Sequence, residues 1–144
     1  NYKTMLSYVQ MIFSKYIGSR VDRDKIYWFQ CVDWAKKFAD ESWFPITTYG
    51  NAIDLWKTWL WPNYIKIANA GWNFPKEGDV VIFSWPTKYW HICISDSGCT
   101  KTKLNVIEQN AGTGNGDGKG GNAIRKHTYD YINPKCVGWY TPKR

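Results

Sequence analysis

The sequence predicts an α+β fold: N-terminal helices packed on a C-terminal antiparallel β-sheet. Two observations carry that expectation. Apolar residues in the first third recur at helical spacing, whereas from Val80 onward short β-prone runs alternate with turn residues. The connections between those runs are too short for parallel crossovers, so a meander is the economical arrangement. A chain of 144 residues buries one core without staples, which makes residues 1–144 a single domain.

Met5, Tyr8, Val9, Ile12, Phe13 and Tyr16 form one helical stripe that stops at Gly18. Residues 19–29 lack such a stripe and read as an acidic loop. A second helix follows, with Cys31, Trp34, Ala35, Phe38 and Ala39 on neighbouring faces and Pro45 beyond its end. Asn51 is positioned to cap a third helix over 51–59, closed before Pro62. The expected strands are Val80–Phe83, Trp90–Ile94, Leu104–Asn110 and Cys136–Tyr140. The run Gly112–Gly121 has a Gly-Lys pair but lacks the other residues of a phosphate-binding loop, so it reads as a surface connection.

A formal charge of +7 with 18% aromatic residues and ten Trp favours anionic partners. Lys and Arg are scattered without a dense run, which argues against a nucleic-acid surface. No apolar stretch approaches the ~20 residues of a membrane crossing or resembles a signal peptide. Of the four cysteines, none sits in the close pair that zinc sites use. Reduced thiols are expected, although Cys93 and Cys99 flank a turn that could bring them together.

Chemistry concentrates at Cys31. A cysteine at a helix N-terminus faces unpaired backbone N–H groups and the positive end of the helix dipole, an environment that favours thiolate over thiol. Of two histidines, His91 opens a β-run and is the candidate base; His127 lies in a weaker pattern. Glu108 and Asn110, two apart on the following run, would share a face from which either could reach a ring nitrogen, Glu108 fixing the tautomer. Gln30 and Asn110 are alternative side-chain donors to an oxyanion. Asp22, Asp24 and Asp33 occupy positions one, three and twelve of a twelve-residue run, the spacing of an EF-hand loop.

Four spaced motifs, Phe29-Gln30-Cys31-Val32-Asp33-Trp34-Ala35, Glu77-Gly78-Asp79-Val80-Val81-Ile82-Phe83, His91 and Val106-Ile107-Glu108-Gln109-Asn110, together resemble the CHAP domain of bacteriophage endolysins. Those are cysteine, histidine-dependent amidohydrolases or peptidases that cut peptidoglycan. The resemblance implies a papain-like fold, with Cys31 as nucleophile, His91 as base, Glu108 as orienting acid and Asn110 as an accessory group. It further implies structural Ca2+ held by Asp22, Asp24 and Asp33 with the carbonyls of Ile26 and Trp28. Tyr27 stands where an EF-hand has Gly, Asp33 replaces its long Glu, and Ala111 replaces an aromatic that often follows the Glu-Gln-Asn motif.

The expectation is therefore a peptidoglycan hydrolase working through a thioester, as an endopeptidase or an N-acetylmuramoyl-L-alanine amidase. It would act as a monomer on the cell wall, with anionic wall polymers as further partners and neither nucleic-acid binding nor membrane insertion. It would be made in the host cytoplasm and be excised from a longer protein with a wall-binding domain. The alternatives are a non-catalytic wall-binding module, or an amidase or transpeptidase acting on another substrate.

Overall fold

The computed structural model describes residues 2–23, 30–58, 62–110 and 122–143. Three helices, α1 (Tyr2–Tyr16), α2 (Cys31–Glu41) and α3 (Ala52–Lys57), precede six strands: β1 (Tyr64–Ala68), β2 (Val80–Phe83), β3 (His91–Ser95), β4 (Leu104–Glu108), β5 (Arg125–Tyr129) and β6 (Cys136–Pro142). The strands form one sheet in the order β1-β6-β2-β3-β4-β5, and every pairing is antiparallel. The α+β, papain-like arrangement read from the sequence is thus the one found.

The meander is only part of the sheet. Strands β2 to β5 follow one another, but β6 returns to pair with β2, and β1 covers its outer edge. Neither β1 nor β5 is among the strands expected from sequence. The close approach of β1 to β6 depends on Gly138: a Cβ there would lie 2.3 Å from the carbonyl oxygen of Ile67 and 2.5 Å from the Trp56 ring. The third helix ends at Lys57, sooner than expected, with Asp54 accepting a hydrogen bond from the Asn51 N–H at 2.9 Å.

Alternation along the central strands creates two cores. Val80, Ile82, Ile92, Ile94 and Ile107 face the helices and pack with Val9, Phe13, Trp34 and Phe38. Their neighbours Val81, Phe83, Cys93, Leu104 and Val106 face the other way, into a second cluster with Trp139 and Cys136. Burial on both faces explains why β2 and β3 read as unbroken apolar runs. Helix α2 is fixed to the sheet by its Trp34 indole, which donates to the Ile107 carbonyl at 2.9 Å. Helix α1 holds α2 from outside, through the Phe13–Phe38 stack at 5.5 Å and the Tyr8 hydroxyl, which donates to the Glu41 carbonyl at 2.8 Å.

At its exit α1 turns at Gly18, whose φ of 91° is one that glycine adopts without strain. The Gly18 N–H donates to the Ile124 carbonyl and the Ile124 N–H donates to that of Ser19, each at 2.8 Å. This pair of bonds sets the chain entering β5 beside the acidic loop. All four cysteines are free thiols, with Cys31 half-buried and the other three buried. Among the described residues, no helix is long and apolar enough to cross a membrane.

Candidate active site

Cys31 is the first residue of α2, as the sequence predicted. The helix start is held by Asp33, whose two carboxylate oxygens accept the backbone N–H of Gln30 at 2.9 Å and that of Arg23 at 3.0 Å. The acidic loop and the helix entrance are therefore tied by one buried side chain. Gln109 adds a second tie. Its amide nitrogen donates to the carbonyls of Val21 at 2.9 Å and Gln30 at 2.7 Å, and its oxygen accepts the Val21 N–H at 2.6 Å. This fully buried residue was not singled out from the sequence, where it reads as a polar interruption of a strand.

His91 begins β3 and is 1% exposed. Its Nε2 lies 3.1 Å from Glu108 Oε1, and the Cys31 side chain acts on the same ring. With Nε2 committed to Glu108, Nδ1 is the nitrogen left for the sulfur. Burial pushes the imidazole pKa down, but hydrogen bonds with Cys31 and Glu108 and their negative charge outweigh it, raising the value to about 9. Cys31, His91 and Glu108 are thus brought to one place. His127 is not among them: it lies on β5 with its ring 4.4 Å from that of Tyr129.

Glu108 is completely buried yet fully partnered. Its Oε1 meets His91 and accepts the Tyr129 hydroxyl at 2.8 Å; its Oε2 lies 3.0 Å from Tyr129 Oη and accepts Arg125 Nε at 3.1 Å and Nη2 at 3.0 Å. Burial alone would raise this carboxyl. The hydrogen bonds from His91 and Tyr129 and the positive charges of His91 and Arg125 hold it below its ordinary value instead. Sequence reasoning overlooked Arg125 and Tyr129. Their two-residue spacing around His127, all on one face of a strand, was the available signal.

Glu108 and Asn110 do not share a face. The strand ends at Glu108, and Asn110 adopts a φ of 61°, so the alternation breaks between them. Asn110 Nδ2 donates to Gln30 Oε1 at 2.9 Å instead of approaching the imidazole. The carbonyl end of Gln30 also accepts the Asp33 N–H. Gln30 and Asn110 line a cleft of about 240 Å³ together with Cys31, Val32, His91, Asn51, Ala52, Pro86, Thr87, Tyr89 and Trp90.

Of the expected cation set, Asp24, Ile26 and Trp28 lie outside the described residues, as do Ala111 and Gly112–Gly121. Among the described residues, no group of three or more His, Cys, Asp or Glu converges on a metal position. Asp22 Oδ1 is nevertheless a buried oxygen with no hydrogen-bond partner among the described residues.

No protein-family model and no curated protein matches the chain. Solved structures do. The wild-type endolysin LysIME-EF1 superposes with a TM-score of 0.75 at 24% identity, over 98% of this chain and 63% of that one. Ly7917 gives 0.63 at 12% identity, over 96% and 62%. An N-acetylmuramoyl-L-alanine amidase from Staphylococcus aureus gives 0.58 at 17% identity, over 79% and 31%. The chain spans less than two thirds of each of these proteins. Across nearly its whole length it shares the α+β fold of LysIME-EF1 and Ly7917.

Proposed function

We propose that this domain is a peptidoglycan hydrolase of the CHAP type, cleaving an amide of the bacterial cell wall with Cys31 as nucleophile. The observation that carries the reading is buried Glu108 bonded to His91, with Cys31 acting on the same ring from a helix N-terminus and both Cys31 and His91 lining one cleft. The fold shared with an endolysin and an N-acetylmuramoyl-L-alanine amidase supports the wall as substrate.

In the mechanism, Cys31 Sγ, its proton held by His91, adds to the amide carbonyl carbon. The oxyanion is met by the Cys31 backbone N–H, unpaired at the first helical position, and by the amide nitrogen of Gln30. Asn110 and Asp33 hold the carbonyl end of Gln30, which turns its NH2 group the other way and favours Gln30 over Asn110 as the donor. His91 protonates the leaving amine, the C–N bond breaks, and a thioester remains. A water molecule that gives its proton to His91 hydrolyses the thioester and restores the thiol. Glu108 stays ionised throughout and stabilises the imidazolium.

Turbidity loss of purified Gram-positive walls, with wild type and Cys31→Ala, tests the activity. Mass spectrometry of the released fragments then distinguishes an endopeptidase from an amidase through the new termini. Pelleting with walls but no cleavage would instead favour a binding module. Since His91 must carry a proton to release the amine, the rate should fall as pH rises through about 9. The raised pKa has the same sign for stability: the contribution of the charged ring is complete below about 6.5 and lost as pH rises through about 9. A melting temperature that climbed across that interval would contradict this assignment.

The loop beside α2 is proposed to hold structural Ca2+ through Asp22, Asp24 and Asp33 and the carbonyls of Ile26 and Trp28. The unpartnered buried oxygen of Asp22 fits an oxygen-seeking cation. Bound there, Ca2+ would supply charge that holds the loop against the catalytic helix; the chemistry stays with the side chains. Calcium should raise the melting temperature in a chelator-to-calcium titration, and Asp22→Ala should abolish that rise. An unchanged melting temperature in wild type would exclude the site.

A further inference from the structure

The acid of the proposed relay has partners that its chemistry does not use. Glu108 has three partners within 3.1 Å: His91 Nε2, the Tyr129 hydroxyl, which lies 2.8 and 3.0 Å from its two oxygens, and Arg125, whose Nε donates to Oε2 and whose Nη2 forms an ion pair with it. Strand pairing creates this convergence. Glu108 stands opposite Arg125 in the β4–β5 register, and Tyr129, four residues on, lies on the same face. Arg125 binds Oε2 only, whereas Tyr129 spans both oxygens, so both ends of the carboxylate are held besides its bond to the imidazole.

We propose that Tyr129 and Arg125 are positioning residues, which keep Glu108 ionised and aimed at His91 Nε2 and thereby act on amide cleavage through the imidazole. This rests on the reading of Cys31, His91 and Glu108 as the hydrolytic machinery. A completely buried carboxylate with a single histidine partner would shed its charge by taking a proton. It would then cease to support the imidazolium. Arg125 supplies fixed positive charge from the solvent-facing edge, where its side chain is 41% exposed.

Tyr129 supplies a neutral donor at the inner edge. Burial and the charge of Glu108 push its phenol far up, so it remains a donor throughout the working range. Its ring packs on Phe83 at 5.0 Å and Trp85 at 6.1 Å, an aromatic wall that excludes water from Glu108. The charged and titratable groups around the carboxylate are then His91 and Cys93 from β3 and Arg125 and Tyr129 from β5. His127 lies behind Tyr129, Cys31 lies beyond His91, and β2 presents only Phe83.

The test is a pH titration of the His91 ring by NMR, which reports the charge of Glu108 without substrate, alongside wall hydrolysis per folded protein. The variants are Tyr129→Phe, which keeps the packed ring, Arg125→Gln and Arg125→Lys. In Tyr129→Phe and Arg125→Gln, the transition at which Glu108 takes a proton should move up by about one pH unit, the effect of losing one charge-assisted hydrogen bond. The acid limb of hydrolysis should move with it, costing about tenfold below that limb and little at pH 8. Arg125→Lys should recover most of the shift. If neither variant moves the transition, the inference is wrong, even if melting temperature or overall rate declines. Wall degradation by Cys31→Ala would overturn the hydrolytic reading separately, and the NMR transition would still decide whether Tyr129 and Arg125 hold Glu108.

Discussion

Cys31→Ala should lower wall hydrolysis by at least about 10³-fold, because no other nucleophile replaces the sulfur and only the oxyanion donors and binding contacts remain. The fold should survive. Cys31 is half-buried and contributes one atom to the packing under α2, so the melting temperature should stay within a few degrees of wild type. The discriminating comparison is between the histidines. His91→Ala should fall nearly as far in rate, whereas His127→Ala removes a ring set edge-on to Tyr129 and should retain most activity. Equal losses at both histidines would mean that the proposed relay does not run through His91.

Glu108→Ala should have the largest effect on stability of any substitution at the site. It removes the acceptor for His91, Tyr129 and Arg125 together and leaves a cavity between two strands. Removing one partner of a buried charge network costs about 3–5 kcal/mol, equivalent to a fall of roughly 10 °C in melting temperature for a domain of this size. Glu108→Gln separates charge from shape. It keeps an acceptor and the volume, so it should cost less stability while slowing hydrolysis by about 10²- to 10⁴-fold. Equilibrium denaturation measures the first effect and initial rates the second. A stable, fully active Glu108→Gln would show that the carboxylate charge is dispensable.

The parts legible in the sequence are those whose signal is local. The stripe ending at Gly18, the cysteine at a helix entrance and the apolar runs of β2, β3 and β4 each carry their pattern within a few residues. What escaped depends on pairing across the sheet. In β1, Tyr64 is buried but Ile65 is half exposed, so the run lacks clean alternation. In β5, the residues of the less exposed face are Arg125, His127 and Tyr129, and two of them, Arg125 and Tyr129, are polar partners of a buried carboxylate. The partners of Glu108 lie 17 and 21 residues beyond it. Only the β4–β5 register brings them into reach, and register is set by contacts along both whole strands.

Asn110 failed in the opposite sense. Two-residue spacing placed it beside Glu108, but spacing predicts a shared face only while the strand continues, and this one stops at Glu108. The residue gained a different task at the cleft, where its amide orients Gln30.

The sheet divides ownership of the reacting groups. Cys31 packs with the helical cluster, whereas the aromatic neighbours of His91 and Glu108, Phe83 and Tyr129, belong with the cluster on the reverse face. Cys31 and His91 thus report on two separate bodies of packing that meet at the first residue of α2. Loosening the helical layer would draw the sulfur away while the imidazole remained paired with its acid. In mild denaturant, then, the proposed lytic activity should vanish before amide protons in the central strands exchange, and the domain would fail by parting at a seam long before its sheet unravels.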